Sequence, residues 1–302
     1  MTLAAIAMAL ILSSAFGCWG VAVAQRLPPR HATWLLSAGG VIAALSGLAV
    51  LVLVGSLLVG EQPAIATEGH WSAAALREHA PVGRATASAA ALLAGLLSAW
   101  AGAVAFRRAR ALLAAYRSCR ELPPAAGELI VVPGTRVGAH AVPGRPGRIV
   151  AGQHLLSALS GGERRVLLAH ERAHLDKAHH WHLAAVTIAA ALNPLLGPLR
   201  GAVVCSTERW ADEAAGEAVG DRRLVAQALA SAARCGSHAP GALAATTHFV
   251  PLRVAALLGP APAPRPLLVR VSLGLLLAAV GAVLVATKQT EHLYEFARRV
   301  RH

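Results

Sequence analysis

The stretch His170-Glu171-Arg172-Ala173-His174 contains two histidines at positions i and i+4 and a glutamate directly after the first. On a helix, residues at this spacing share one face, so His170 and His174 can bind one metal ion together. Glu171 is then placed to take a proton from a water molecule that the metal activates. The pattern is typical of a hydrolytic zinc site, and we expect one Zn²⁺ per chain here.

The helix that carries this stretch has a predicted start at Ser160. Ser160 and Glu163 have the spacing of a capping box, in which each side chain bonds to the backbone N–H of the other residue. Residues 154–159 predict a short helix just before it. Three short β-prone segments come earlier, at residues 128–132, 136–142 and 147–151. Three such strands are enough for a small sheet, so we expect a small α+β unit around the motif.

Glu208 is the best candidate for a third metal ligand, because a catalytic zinc site usually has three protein ligands. Asp212 follows four positions later on the same predicted helix face. It can accept a hydrogen bond from a ligand histidine and fix the tautomer of that ring. The alternative is an ordinary acidic helix surface, since Glu213 and Glu217 are close by.

The composition predicts a membrane protein. Of the 302 residues, 56% are hydrophobic and 14% are charged, whereas a soluble domain has about 25% charged residues. Four apolar segments approach or exceed the ~20 residues that a membrane-spanning helix needs. They cover residues 3–24, 34–60, 85–106 and 267–287. We interpret the first as a retained helix and not as a cleaved signal peptide, because it lacks a basic start.

Arginines beside these segments predict the orientation. Arg26 and Arg30 lie between the first two segments, and a cluster from Arg107 to Arg120 follows the third. Basic flanks stay in the cytoplasm, so the motif should face the cytoplasm and the C-terminal tail should lie outside. The net charge of +13 then reflects contact with a lipid bilayer, and we expect no nucleic-acid partner. The arginine- and alanine-rich composition is typical of a GC-rich bacterial genome, which indicates a multi-pass protein of a bacterial cytoplasmic membrane.

Residues 183–204 form an apolar stretch between the two halves of the metal motif. By hydropathy alone it could be a fifth span. His174 and Glu208 must meet at one metal, however, so a single crossing between them is excluded if the site is real. Asn193-Pro194 and Gly197-Pro198 interrupt the stretch, and we therefore predict a buried or re-entrant helical pair.

With these features together, the chain resembles the BlaR/MecR-type peptidase family, which is related to the HtpX-like and CAAX-prenyl-protease-like gluzincins. The similarity covers about residues 128–257. Its motifs are Gly138-Ala139-His140-Ala141, Gly147-Arg148-Ile149-Val150, His170–His174, Asn193-Pro194-Leu195, Glu208–Asp212 and Thr247-His248 with Arg253-Val254. Gly138 replaces the small polar residue often found there, and Phe249 stands where proline is commoner.

The resemblance implies that His170, His174 and Glu208 bind zinc and that Glu171 is the general base. It also implies that a peptide substrate pairs with the strand at residues 136–142. His248 could stabilise the oxyanion of the reaction, and Arg253 could pair with an acidic residue of the site; ordinary surface roles are the alternatives. His179, His180 and His182 suggest a second metal cluster, but placement at the membrane interface beside Trp181 is favoured.

These observations predict a mainly α, polytopic α-helical membrane protein with a small α+β zincin-like cytoplasmic peptidase domain. We expect a membrane domain at residues 1–106, a peptidase domain at 107–266, a last span at 267–287 and a short tail at 288–302. The predicted function is zinc-dependent hydrolysis of peptide bonds in protein substrates at the cytoplasmic membrane face, in regulated proteolysis or membrane-protein quality control. A non-enzymatic signal transducer with structural zinc is the alternative. An intramembrane metal transporter fits less well, because the ligands flank the spans.

Overall fold

The fold is mainly helical, as the sequence predicts. The computed structural model describes residues 3–121, 128–133, 138–236 and 249–300. Within them, four helices are long and apolar enough to cross a membrane. They are α1 (Leu3–Ala24), α2 (Pro29–Gly60), α5 (Arg84–Glu121) and α12 (Pro266–Arg299). The expected set of four candidate membrane spans is thereby confirmed.

Three of these helices are longer than their apolar cores. Helix α2 begins at Pro29, since proline fits the first helical turn, where no backbone N–H is needed for helix bonding. Helix α5 continues from its apolar part into the arginine cluster without a break, and α12 continues past residue 287 to Arg299. Hydropathy marks where a helix is apolar, whereas the helix itself ends only where a capping or breaking residue stops it.

The first and last of these helices pack side by side, and both contact α2. The Trp19 indole N–H donates to the Ser272 hydroxyl at 2.9 Å. At one end of the bundle, the short helix α3 (Pro63–Glu68) contacts α2, and α4 (Ala73–Glu78) lies against the last turns of α12. There the Ser72 N–H donates to the Ala297 carbonyl at 2.8 Å. The loop between α2 and α5 and the end of α12 therefore share one end of the molecule.

The remaining elements begin with a small sheet. Strands β1 (Leu129–Val132), β2 (Ala139–Val142) and β3 (Arg148–Gly152) pair in the order β1-β3-β2, with β1 parallel and β2 antiparallel to β3. The described chain then continues with helices α6 (Gln153–Ala158), α7 (Gly161–Asp176), α8 (His179–Leu192), α9 (Gly197–Val219) and α10 (Arg222–Gly236). Helix α11 (Val250–Leu258) lies against α10.

The predicted capping box starts α7. The Ser160 hydroxyl accepts from the Glu163 N–H, and the Glu163 carboxylate accepts from the Ser160 N–H. The short helix α6 also lies where the sequence predicts it. Together these elements fix where the helix with the histidine motif begins.

The apolar stretch after the motif folds as two helices that turn back at Asn193. Helices α8 and α9 pack on each other. The rings of His179, at the start of α8, and Trp210, in the second half of α9, have centroids 5.0 Å apart. The turn lies against the middle of α1, where a Cβ on Gly17 would lie 2.7 Å from the Leu195 carbonyl oxygen. The pair is therefore a helical hairpin that enters the bundle and returns to the end from which it came.

Candidate metal centre

Three candidate ligands from two helices converge. His170 and His174 lie on one face of α7, and Glu208 comes from α9, which packs against α7. The two Nε2 atoms are 3.2 Å apart. The Glu208 carboxylate oxygens lie 3.7 Å from His170 Nε2 and 3.6 Å from His174 Nε2. All three side chains are largely shielded from solvent, so the cluster is a compact set of nitrogen and oxygen donors.

The spacing and chemistry of these donors fit a zinc ion. Two ligands bound about 2.1 Å from one tetrahedral zinc lie about 3.4 Å apart. The three measured separations, 3.2, 3.6 and 3.7 Å, are close to that value. Two imidazoles and one carboxylate are also a ligand set of catalytic zinc sites, which keep a further position open for water. The residues therefore fit zinc, which His170, His174 and Glu208 could hold.

Asp212 and Arg253 support two of these ligands from outside. His170 Nδ1 lies 3.1 Å from Asp212 Oδ1, and Asp212 is almost fully buried. Arg253, from α11, donates two hydrogen bonds to Asp212 at 2.6 and 2.7 Å. A third guanidinium nitrogen lies 2.8 Å from Glu208 Oε2. Burial works to raise the pKa of both carboxyl groups, but their cationic partners outweigh it and lower the pKa of each.

The surroundings shift the pKa values of the two histidines in opposite directions. Burial lowers the pKa of both rings, yet hydrogen bonds to Asp212 and Glu208 raise the pKa of His170 to about 10. For His174, burial and the neighbouring His170 charge lower the pKa to about 4. Since metal binding requires neutral imidazole, a metal ion must displace the proton from His170 but not one from His174.

Glu171 lies beside the ligands and is buried. Its carboxylate accepts a hydrogen bond from the Ala141 backbone N–H. Burial raises the pKa of Glu171, which is the direction that suits a carboxylate acting as a general base. The sequence places this carboxylate on the motif helix, and the structure adds its contact with β2.

A cavity of about 370 Å³ opens onto the cluster. One side is the edge of β2, and the opposite side is α10, which contributes apolar side chains. Gly152 N–H donates to the Gly138 carbonyl, so the backbone groups of Ala139 and Ala141 point away from β3 in the alternating antiparallel pattern. Within the described sheet, β2 is an edge strand whose outer side faces the cavity.

The sequence indicates His179 only as a residue of a second metal cluster or of the membrane interface, and it does not predict the contact of His179 with His174. His179 is 1% exposed, and its Nδ1 lies 2.9 Å from Nδ1 of His174. His182 is also buried, with Nδ1 2.8 Å from the Ser37 hydroxyl. In the described chain these histidines form no second metal cluster. The structure buries His179 and His182 inside the protein, and Trp181 beside them is exposed.

The remaining predicted site residue, His248, lies outside the described residues, together with Thr247. The predicted pairing partner Arg253 is placed in the cluster, as described above.

The chain was compared with protein-family models, curated proteins and solved structures, and none of them matches it. The site must therefore be interpreted from its own geometry.

Proposed function

We propose that the protein is a membrane-embedded zinc-dependent endopeptidase. The observation that carries the proposal is one cavity containing three zinc-type donors, a buried carboxylate and an open strand edge. We further propose that residues 107–266 form a zincin-like peptidase domain of the BlaR/MecR type that the sequence resembles. A metal with only a structural role needs neither a neighbouring proton acceptor nor a cavity that opens onto it.

The open edge of β2 supports a peptide substrate. Within the described sheet, the backbone N–H and carbonyl of Ala139 point away from β3, on the side of the cavity. An extended peptide can add to such an edge as a further strand, held by main-chain hydrogen bonds. The Ala141 N–H bonds to Glu171, so the strand edge and the proposed proton acceptor are in direct contact. A peptide paired with Ala139 would place its backbone beside the metal ligands.

The chemistry assigned to each residue follows from these contacts. When bound, zinc supplies Lewis-acid activation of a water molecule and of the scissile carbonyl. Glu171 takes a proton from the attacking water and delivers it to the amine nitrogen as the C–N bond breaks. Asp212 accepts from His170 Nδ1 and so directs the Nε2 lone pair of that ring to the metal. Arg253 holds Glu208 and Asp212 in place.

The proposed location is a bacterial cytoplasmic membrane, with the cavity at the cytoplasmic face and protein substrates cleaved in regulated proteolysis or quality control. Arg209, next to the ligand Glu208, bonds to the carbonyls of Ala24 and Gln25 at the end of α1. The metal cluster and Arg26 therefore lie at the same end of the bundle. Because basic flanks stay in the cytoplasm, that end is assigned to the cytoplasm. Reporter fusions after Arg84, Arg120 and His302 test this, and an external Arg120 would contradict it.

Glu171→Gln is the decisive variant, since it keeps the shape of the side chain and removes the proton acceptor. The purified full chain should contain one zinc, and Glu171→Gln should keep that zinc. Cleavage of casein or of a membrane-protein substrate should fall by about 10²–10⁴-fold. Glu217→Gln, an exposed position on α9, is the matched control and should cleave normally.

Three results would contradict parts of the proposal. Equal cleavage by wild type and Glu171→Gln, independent of zinc, would contradict the proposed enzymatic function. Zinc binding with no cleavage by either protein would favour the signal transducer with structural zinc. Glu208→Ala should lose zinc. Unchanged zinc content in that variant would mean that the third ligand is wrongly assigned.

A further inference from the structure

His179 is a buried histidine beside the metal cluster that the proposed reaction does not use. It is the first residue of α8, and its ring packs between the rings of His174 and Trp210, with centroid distances of 4.7 and 5.0 Å. Its Nδ1 lies 2.9 Å from His174 Nδ1. Two nitrogens at this distance form a hydrogen bond only if one carries a proton and the other does not.

The proposed metal geometry decides which nitrogen carries it. His174 Nε2 faces His170 Nε2 at 3.2 Å and Glu208 at 3.6 Å, so Nε2 is the atom that would bind zinc. A ring that binds through Nε2 has its proton on Nδ1. His174 must then donate from Nδ1, and His179 Nδ1 must accept. The proton of a neutral His179 consequently lies on Nε2.

The opposite arrangement would block the site. If His179 donated from Nδ1, the His174 proton would move to Nε2, the atom that faces the other ligands. Within the described residues, His179 Nε2 is buried and has no hydrogen-bond partner. No described contact of His179 Nε2 therefore competes with the bond to His174, and that bond orients the His179 ring against His174.

We propose that His179 is a positioning residue that holds His174 in its zinc-binding tautomer and orientation by accepting the Nδ1 proton. The proposal rests on the zinc site proposed above, but it does not require peptidase activity. The backbone conformation at Ala178 makes this contact possible. Ala178 has φ 50° and ψ 42°, and the resulting turn places the start of α8 directly against the motif helix.

The test compares variants that keep or remove an acceptor at the Nδ1 position. His179→Phe keeps a flat ring against Trp210 but offers no acceptor. His179→Asn places an amide oxygen on Cγ, where Nδ1 is attached in histidine, and so retains an acceptor. His182→Phe is the matched control. His182 is also buried and lies near Trp210, with a ring-centroid distance of 6.3 Å, but its hydrogen bond is to the Ser37 hydroxyl and not to His174.

The measurement is zinc affinity of the full chain in detergent, by competition with a chelator of known affinity. Loss of a hydrogen-bond partner of a ligand weakens metal binding by about 10–100-fold. His179→Phe should show that loss, His179→Asn should recover at least half of it on a logarithmic scale, and His182→Phe should stay within about threefold of wild type. Visible absorption of the Co²⁺-loaded proteins should change for His179→Phe and not for the control.

Three results would overturn the proposal while leaving the zinc site standing: wild-type affinity in His179→Phe, an equal loss in His182→Phe, or no recovery in His179→Asn. The first would show that the contact is dispensable, and the other two would assign the loss to ring packing. Failure of the wild type to bind zinc would instead overturn the proposed site, and this inference with it.

Discussion

Arg253→Met should destabilise the metal-free protein strongly, because it leaves the largely buried carboxylates of Asp212 and Glu208 with His170 as their remaining cationic partner. Arg253 is 4% exposed and donates two hydrogen bonds to Asp212, which is 2% exposed. A further guanidinium nitrogen lies 2.8 Å from Glu208. Methionine keeps much of the apolar volume of the arginine stem, so the main change is the loss of charge and hydrogen bonds.

The expected magnitude follows from burial. Removing one partner of a buried ion pair costs about 3–5 kcal/mol, because the other charge stays in a medium of low polarity. Arg172→Met is the matched control on α7. Arg172 pairs with Glu128 at the surface, with 53% and 35% of the two side chains exposed, and an exposed pair contributes about 0–1 kcal/mol. The two arginine substitutions should therefore differ by at least about 2 kcal/mol.

The assay is thermal unfolding in mild detergent with excess chelator, so that metal binding does not enter. Asp212→Asn in the Arg253→Met background should restore part of the loss, since it removes one of the two carboxylate charges that Arg253 neutralises. The double-variant cycle should then give a coupling of about 1–3 kcal/mol between the two positions. If Arg253→Met lost no more stability than Arg172→Met, the argument from buried charge would be refuted.

Three further predictions concern pH, packing and the backbone. The pKa of His170 is raised to about 10, above the value near 6.5 of the unfolded chain. The protonated ring therefore stabilises the folded protein fully below pH 6.5, and this stabilisation is lost as pH rises towards 10. Because zinc must displace this proton, the apparent zinc dissociation constant should fall about tenfold per pH unit between about pH 7 and 9. A dissociation constant that does not change with pH, measured by chelator competition, would contradict this. Gly17→Ala places a Cβ 2.7 Å from the Leu195 carbonyl oxygen and should cost about 1–3 kcal/mol in thermal unfolding. Gly95→Ala on α5 meets nothing within 4 Å and should be neutral or slightly stabilising, and equal losses would argue against the hairpin packing. Ala178→Gly should stabilise by about 0.5–1 kcal/mol in the same assay, because glycine adopts the left-handed conformation without strain; a clear loss would show that the turn is not strained.

The sequence could predict what depends on regular spacing. The i, i+4 positions of His170 and His174 imply a shared helix face, and the structure shows their Nε2 atoms 3.2 Å apart. The same spacing from Glu208 to Asp212 places the second residue within 3.1 Å of the His170 ring. The Ser160 capping box was likewise predictable, because its hydrogen bonds are local.

Contacts that depend on the three-dimensional path of the chain could not be predicted in this way. His179 meets His174 only because Ala178 adopts a left-handed conformation, which a non-glycine residue seldom does and which no sequence pattern here indicates. The order β1-β3-β2 is similar: local β propensity identifies three strands, but which strand lies at the centre depends on non-local pairing. The position of β2 at the edge that faces the cavity follows from this strand order. In the sequence, only the resemblance to a known family implied it.

The metal cluster and the membrane bundle depend on the same packing. The chain between His174 and Glu208 enters the bundle and turns at Asn193, with Leu195 against Gly17 of α1. On the return, Arg209 bonds to carbonyls at the end of α1 that the helix itself leaves without partners. The position of Glu208 relative to the two histidines is thus set by the fit of the hairpin against α1 and α2. A loosened bundle would separate the ligands even if the sheet stayed folded, so zinc binding should report on the packing of the membrane helices themselves.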